Sequence, residues 1–145
     1  MRPIIIITTG DPRGIGPEVT KKALQDSGIK GLANFLVINS EDRTGFDAIK
    51  KAVGLLKNKK ANALVTAPVN KEAINRSGIF FQGHTEYLAK ATDTKRFAMM
   101  LCGGKLKVTT VTQHVPLQKV YSILTRAKIV AAVKRTAYAL IKYIG

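Results

Sequence analysis

The chain has 145 residues, 46% of them hydrophobic, which is typical of one globular domain with a buried core. Its 24 Lys and Arg residues outnumber 9 Asp and Glu residues, for a formal net charge of +15, and its single cysteine excludes an internal disulfide. No apolar run reaches the roughly 20 residues of a membrane helix and no signal-peptide region follows the start, so we predict a cytoplasmic protein without a membrane partner.

The positive charge is concentrated towards the end of the chain. The last acidic residue is Asp93, and every charged side chain after it is Lys or Arg. Such a region attracts nucleic acid, anionic lipid or phosphorylated metabolites, although a solvated basic face is the commoner explanation. Aromatic residues are sparse and no nucleic-acid motif is present. The positive charge is therefore the only feature that favours nucleic acid as a partner.

Apolar runs and amphipathic segments alternate in the first part of the chain. The β-branched run Ile4–Ile7 predicts a strand buried on both faces, and a helix is expected from Pro17 to about Ser27. Phe35–Ile38 predicts a second buried strand, followed by an amphipathic helix that starts at Phe46. This order is typical of strand, loop and helix units with a parallel sheet.

Further elements follow the same logic. Ala63–Thr66 predicts a third strand, and Asn70 is expected to cap a short helix over Lys71–Asn75. Helical periodicity returns at Leu117 and continues in a longer amphipathic helix from about Arg126 to Tyr143.

Two apolar runs around a glycine pair predict an antiparallel hairpin. Phe97–Leu101 and Leu106–Val111 flank Gly103-Gly104, a combination that favours a tight turn. Cys102 lies in the apolar run Phe97–Cys102, so we expect a buried small hydrophobe without a function. Together the elements predict a single α/β unit over residues 1–145, with a mostly parallel sheet and one antiparallel hairpin.

Two loops follow the ends of predicted strands, where ligands collect in α/β sheets. Gly10–Glu18 contains glycines that either shape a turn or let backbone amides approach a ligand, and the loop matches neither the Rossmann nor the Walker pattern. In the loop after Thr66, Lys71 could meet an anionic substrate, although a solvated side chain at an ordinary helix start is the commoner case.

Both histidines of the chain lie in polar clusters beside apolar segments. Thr85 is expected to cap a helix, with His84 in the loop before it, where an imidazole and a hydroxyl could hold a phosphate or carboxylate. A local hydrogen-bonding role is the alternative for His84. His114 follows a predicted strand and is a candidate metal ligand, but two histidines do not make a zinc site, and no Cys, Asp or Glu lies near it in sequence.

Several motifs in order resemble the 4-hydroxythreonine-4-phosphate dehydrogenase family of pyridoxal phosphate biosynthesis. The matching blocks are Thr9–Pro12 with Gly14–Glu18, Val65–Glu72, Gly83–Glu86, Met99–Leu101 and His114–Leu117. The resemblance implies the three-layer α/β/α fold of the isocitrate and isopropylmalate dehydrogenases, with portions of both family domains in this chain. It also implies a homodimer whose active site lies between two domains and borrows from the partner subunit.

The family oxidises the secondary alcohol of 4-phosphooxy-L-threonine with NAD or NADP, and the product loses carbon dioxide to leave 3-amino-2-oxopropyl phosphate. The resemblance implies that His84 and Thr85 bind substrate and that His114 is one of three histidines on a divalent metal such as zinc, magnesium or cobalt. The metal would act as a Lewis acid on the alcohol oxygen. Lys and Arg side chains would complement the phosphate of the phosphorylated substrate. Catalytic and cofactor-binding residues are not assigned.

The chain departs from the family pattern in three ways. Arg13 stands where a small residue is common, and Asn39–Gly45 bridges directly where the family has a longer segment. The sequence also ends at Gly145, before the family segments with the other two metal histidines and much of the NAD site, so the three-histidine site cannot form from one or two copies. We therefore expect a truncated and internally shortened member that is inactive alone.

Three alternatives to this interpretation stay open. The chain could be a non-catalytic remnant that acts as a basic anion-binding or nucleic-acid-binding module. It could belong to a dehydrogenase of a related four-carbon phosphorylated hydroxy acid. It could also be a half-enzyme that a separate, complementing polypeptide completes.

Overall fold

In a computed structural model, which describes residues 2–144, the chain is an α/β protein that divides into two compact units. Unit 1 is Met1–Asp93 and unit 2 is Thr94–Gly145. Within the described residues, unit 1 holds a parallel sheet and four helices, and unit 2 holds an antiparallel strand pair and two helices. The assignment of portions of both family domains to this chain stays a prediction.

The sheet of unit 1 has the strand order β2-β1-β3, and both pairings are parallel. Its strands are β1 (Ile4–Thr8), β2 (Asn34–Ile38) and β3 (Ala63–Thr66). The central strand buries Ile6, which pairs in register with Leu36 and Leu64. The predicted burial of the second strand is wrong, because β2 is an edge strand that leaves Leu36 42% exposed.

The helices of unit 1 are α1 (Gly16–Gln25), α2 (Phe46–Lys57), α3 (Lys71–Arg76) and α4 (His84–Ala91). The first helix ends two residues before the predicted Ser27, because Asp26 turns to extended backbone and its carboxylate accepts a hydrogen bond from Gly28 N at 2.7 Å. The predicted cap of α3 is confirmed, since Asn70 Oδ1 accepts a hydrogen bond from Ala73 N at 3.0 Å.

A cluster of apolar side chains forms the helical core of unit 1. Its buried members are Phe46, Ile49, Val53, Ile74 and Phe81. The ring of Phe46 meets that of Phe81 edge-on at 5.9 Å, which links α2 to the segment that precedes α4. Burial of each such side chain stabilises the fold by roughly 1.5–3 kcal/mol, so the cluster fixes α3 and α4 against α2.

The elements of unit 2 are β4 (Met100–Gly103), β5 (Leu106–Thr109), α5 (Leu117–Ile123) and α6 (Arg126–Tyr143). The antiparallel hairpin is confirmed, with Gly103 paired to Leu106 and Gly104 at a φ of 53° in the turn. The strands are shorter than predicted, since β4 begins at Met100 rather than Phe97. The predicted burial of Cys102 is wrong, because this two-stranded sheet leaves that side chain exposed.

The long helix of unit 2 has the predicted bounds and is held to the hairpin by threonines. Thr125 caps α6 by accepting a hydrogen bond from Lys128 N at 3.3 Å. The Thr136 hydroxyl lies 2.8 Å from the hydroxyl of Thr109 on β5. No helix within residues 2–144 is long and apolar enough to span a membrane.

Candidate functional site

Three loops meet at the carboxyl edge of the parallel sheet in unit 1. Asp11 N, after β1, donates a hydrogen bond to Pro68 O, after β3, at 3.0 Å. Gly45, after β2, packs so closely on this loop that a Cβ there would lie 2.6 Å from the carbonyl carbon of Gly10. This edge is where ligands bind in α/β sheets, and its loops are held together by backbone contacts.

The glycines of the first loop serve close backbone packing. Gly10 has a φ of 73°, and a Cβ at this position would lie 2.1 Å from Pro68 O. A Cβ on Gly16 would lie 2.0 Å from Thr9 O. Because these distances are far below van der Waals contact, any side chain would push the loops apart. The two glycines are therefore explained by a structural turn, without a ligand.

The two places where the sequence departs internally from the family pattern, Arg13 and the short connection Asn39–Gly45, are in contact. Arg13 Nη2 donates a hydrogen bond at 3.2 Å to the carbonyl oxygen of Arg43, which lies in the short connection after β2. The backbone N–H of Arg13 donates to Asp11 Oδ1 at 2.9 Å, so the same residue is tied to its own loop. Arg13 thus bridges the first loop and the short connection.

An aspartate organises that short connection. Asp42 Oδ1 accepts hydrogen bonds from Thr44 N at 2.7 Å and from Gly45 N at 2.8 Å. Burial raises the pKa of Asp42, but hydrogen bonds from Thr44, Gly45 and Ser40 together lower it below its ordinary value. Asp42 thus remains a carboxylate at neutral pH and holds a compact turn in place of a longer segment.

His84 and Thr85 lie at the N-terminus of α4, but not as predicted. His84 is the first residue of the helix, and the N-cap position is taken by Gly83 in extended backbone. Thr85 lies within the first turn and makes no capping hydrogen bond, so its predicted capping role is wrong. The unpaired amides of a first helical turn carry partial positive charge, which favours an anion at this end of α4.

The imidazole of His84 is half-buried against an aromatic ring and has no hydrogen-bond partner at one nitrogen. Its ring meets Phe81 edge-on at 5.6 Å, with an interplanar angle of 87°. Nε2 is buried and unpaired among residues 2–144. Burial, with a smaller contribution from the positive charge of Lys71, lowers the pKa of His84 below its ordinary value of 6.5. His84 is therefore mainly neutral at neutral pH and offers a free ring nitrogen.

Two charged side chains approach Gly83. A Cβ on Gly83 would lie 2.8 Å from Glu86 Oε2 and 3.7 Å from Lys71 Nζ. The ammonium of Lys71 thus comes from the start of α3 to the start of α4, although the two positions are distant in sequence. Lys71 is therefore more than a solvated side chain at a helix start, because its positive charge also acts on His84.

The structure places His114 in unit 2, in the irregular segment between β5 and α5. The side chain is exposed, and the backbone has a φ of 53°, a left-handed conformation that is uncommon outside glycine. Nowhere in residues 2–144 do three or more His, Cys, Asp or Glu side chains gather to hold a metal ion. His114 alone does not make a metal site.

Sequence reasoning missed two polar groups of unit 1. The predicted short helix ends at Asn75, yet in the structure its amide pairs with the backbone of Phe81. An asparagine inside a helix often bonds to nearby backbone, which was the available signal. The Thr8 hydroxyl is buried at the carboxyl end of β1 without a partner among the described residues, and no sequence signal predicts this.

Comparison with known families identifies the chain's relatives. The family model for the pyridoxal phosphate biosynthetic protein PdxA matches residues 36–145. The chain belongs to this family. The motif blocks around His84 and His114 lie inside the matched range, so the predicted resemblance is confirmed.

Curated family members carry two activity names. A 4-hydroxythreonine-4-phosphate dehydrogenase of Desulforapulum autotrophicum is 30% identical over 193 residues, covering 96% of this chain and 57% of the relative. A D-threonate 4-phosphate dehydrogenase of Pectobacterium atrosepticum is 30% identical over 89% of this chain and 56% of its own length. The first alignment is longer than the 145 residues of this chain, so the relative has internal segments without a counterpart here.

Solved structures show the family fold. A 4-hydroxythreonine-4-phosphate dehydrogenase from Burkholderia phymatum has a TM-score of 0.82 at 24% identity. The superposition covers 98% of this chain and 59% of that chain. The Klebsiella pneumoniae enzyme of the same name has a TM-score of 0.81 at 27% identity, with 97% of this chain and 59% of that chain covered. The α/β fold of this family is therefore shown, over less than two thirds of its members' length.

Proposed function

We propose that the chain supplies part of the substrate site of a dehydrogenase acting on 4-phosphooxy-L-threonine. In the complete reaction, a hydride leaves the carbon of the secondary alcohol for NAD or NADP, and the hydroxyl proton is lost. The resulting β-keto acid loses carbon dioxide to give 3-amino-2-oxopropyl phosphate. One observation carries the proposal: the free, buried nitrogen of His84 lies near Lys71 at the start of α4.

Each group at this corner has a distinct role in holding an anionic substrate. The first-turn amides of α4 and the ammonium of Lys71 attract a phosphate or carboxylate group. The neutral imidazole of His84 adds a directed hydrogen bond, and the Thr85 hydroxyl can donate or accept another. Binding an anion here also excludes water from the start of α4, which strengthens the electrostatic interactions that orient the substrate.

Metal and cofactor chemistry are not assigned to this chain's own residues. His114 provides one imidazole, and no group of three or more His, Cys, Asp or Glu side chains that could hold a metal ion occurs among residues 2–144, so the described chain does not fit a divalent metal site. A nicotinamide nucleotide would accept the hydride in the proposed reaction, but no residues here are assigned to it. We propose that His114 contributes to a metal site only when further family segments are present.

The rest of the active site must come from family segments that this chain does not contain. The chain spans about 57% of the Desulforapulum relative, and we expect a complementing polypeptide in the cytoplasm to supply the rest, because a homodimer of this chain alone would lack the same segments. Turnover of 4-phosphooxy-L-threonine by the chain alone should be negligible. Addition of a separately expressed segment that matches the uncovered part of the relative should restore NADH formation.

Loss of that restored activity in the His84→Gln variant would support a role for His84 in the site. Normal NADH formation by the chain alone would overturn the claim that other segments are needed. A complemented mixture that never produces NADH, although both parts are folded, would count against the dehydrogenase function itself.

A second candidate substrate is D-threonate 4-phosphate, which the name of the Pectobacterium relative favours. The two esters differ at C2, where the threonine derivative has an ammonium and the threonate has a hydroxyl. The Glu86 carboxylate beside Gly83 is placed to pair with an ammonium. Glu86→Gln should therefore weaken binding of the threonine ester more than that of the threonate ester, as measured by calorimetry.

A non-catalytic anion-binding role is a further candidate, favoured by unit 2. A groove of about 720 Å³ in this unit is lined by Arg96, Lys134 and Arg135, together with apolar and aromatic side chains such as Phe97 and Tyr138. No acidic residue occurs in unit 2 to offset these charges. Nucleic-acid binding that weakens steeply with added salt would support this role, and binding that is unchanged across a salt series would exclude it.

A further inference from the structure

Asn75 joins the end of α3 to the segment that leads into α4. Its side-chain Nδ2 donates a hydrogen bond to Phe81 O at 3.0 Å, and its Oδ1 accepts one from Phe81 N, also at 3.0 Å. The same Nδ2 donates to Lys71 O at 2.7 Å. One amide thus satisfies both backbone groups of Phe81 and reaches back one helical turn to the residue that supplies the ammonium.

This pairing fixes the backbone immediately ahead of the anion site. Phe81 is only 2% exposed, and its ring is the surface against which the His84 imidazole packs. Residues 77–83 connect α3 to α4 without forming a helix or strand, and Gly78 in this stretch has a φ of 86°. Because regular structure does not hold the connection, the side chain of Asn75 is a principal restraint on its path.

We propose that Asn75 is a positioning residue that sets the separation between Lys71 and His84. The proposal rests on the proposed function in one respect: the pair it positions is the anion-binding part of the substrate site. Asn75 itself lies outside that site, and its side chain hydrogen-bonds to backbone atoms of Lys71 and Phe81. Its effect on binding is transmitted through the backbone of Phe81 and the start of α3.

The two histidines make a direct measurement possible. His84 lies in unit 1 and His114 in unit 2, so two imidazole signals are expected by NMR, and the His84→Gln variant assigns them. In the ligand-free protein, the His84 signal reports burial against Phe81 and the nearness of Lys71, together with the Glu86 carboxylate. The His114 signal is the internal reference.

The test compares Asn75→Ala with Ser77→Ala, a matched control at the end of the same helix. Ser77 Oγ donates to Ile74 O at 2.7 Å and does not bond to the Phe81 backbone, so its loss weakens α3 without releasing the connection. Release of Phe81 should let water reach His84 and increase its distance from Lys71. We expect the pKa of His84 to rise towards 6.5 in Asn75→Ala only, and phosphate-ester binding to weaken about tenfold.

A folded Asn75→Ala variant with an unchanged His84 titration would overturn the positioning role. If that variant does not fold, Asn75→Ser decides by the same titration, because it adds no charge near His84 and its shorter side chain cannot reach both backbone groups of Phe81. An equal shift in Ser77→Ala would also overturn the proposal, since general loosening of α3 would then be sufficient. Failure of the wild type to bind either ester would refute the proposed function, whereas the ligand-free titration would still test Asn75.

Discussion

Replacement of Gly10 by alanine should destabilise unit 1 by about 3 kcal/mol or more. The left-handed φ of 73° alone costs a non-glycine residue about 1–2 kcal/mol. The new Cβ would lie 2.1 Å from Pro68 O, so the loops must separate, and such overpacking costs about 1–3 kcal/mol. The hydrogen bond from Asp11 N to Pro68 O would be lost as well, at about 1 kcal/mol.

Urea unfolding followed by far-ultraviolet circular dichroism measures this change. The matched control is Gly54→Ala inside α2, where nothing lies within 4 Å of the new Cβ. This control should stabilise the helix by roughly 0.5–1 kcal/mol, because alanine is the better helix former. Opposite signs for the two variants would show that packing at Gly10, rather than glycine content in general, determines the result.

A free energy of unfolding for Gly10→Ala within about 1 kcal/mol of wild type would refute this reasoning. The loops at the carboxyl edge would then be able to separate at little cost. The glycines of the first loop would need another explanation, and the interpretation of this loop as one that opens to a ligand would regain support.

Three further predictions concern the two units. Because burial lowers the pKa of His84, the unfolded chain binds more protons just below pH 6.5, so stability should fall as the pH drops through that range. The difference in urea midpoint between wild type and His84→Gln should shrink as the pH falls below 6.5. A difference that stays constant with pH would contradict this. Gly83→Ala should change stability by less than about 1 kcal/mol, since its backbone is extended, yet weaken binding of the threonine ester in calorimetry by displacing Glu86 from the substrate ammonium; undiminished binding would place that ammonium elsewhere. Thr136→Val should lower the thermal stability of unit 2 by about 1 kcal/mol through lost hydrogen bonds to Thr109 and the backbone, and an unchanged melting temperature would show that these bonds do not hold α6.

Local signals predicted the elements well. The bounds of α6 were correct because its amphipathic repeat is long and lies within the segment itself. The cap at Asn70 was correct for the same reason. Errors arose where burial depends on distant neighbours: β2 is an edge strand, and Cys102 lies on a hairpin with only two strands.

The candidate site was only partly accessible from sequence. Short motifs marked His84, Thr85 and His114, because a family motif is contiguous along the chain. They did not show that Gly83 takes the N-cap position of α4 or that Lys71 reaches it from α3. Those relations depend on how the connection between the two helices folds back.

The sequence by itself determined the order of strands and helices, the family, and the histidines most suited to chemistry, since all of these are encoded in periodicity and contiguous motifs. Only the tertiary structure decided that the glycines after β1 are needed for loop packing and that His84 is buried with a free nitrogen near Lys71. Burial, clash distances and charge proximity join residues far apart in the chain, and they exist only once the backbone has folded.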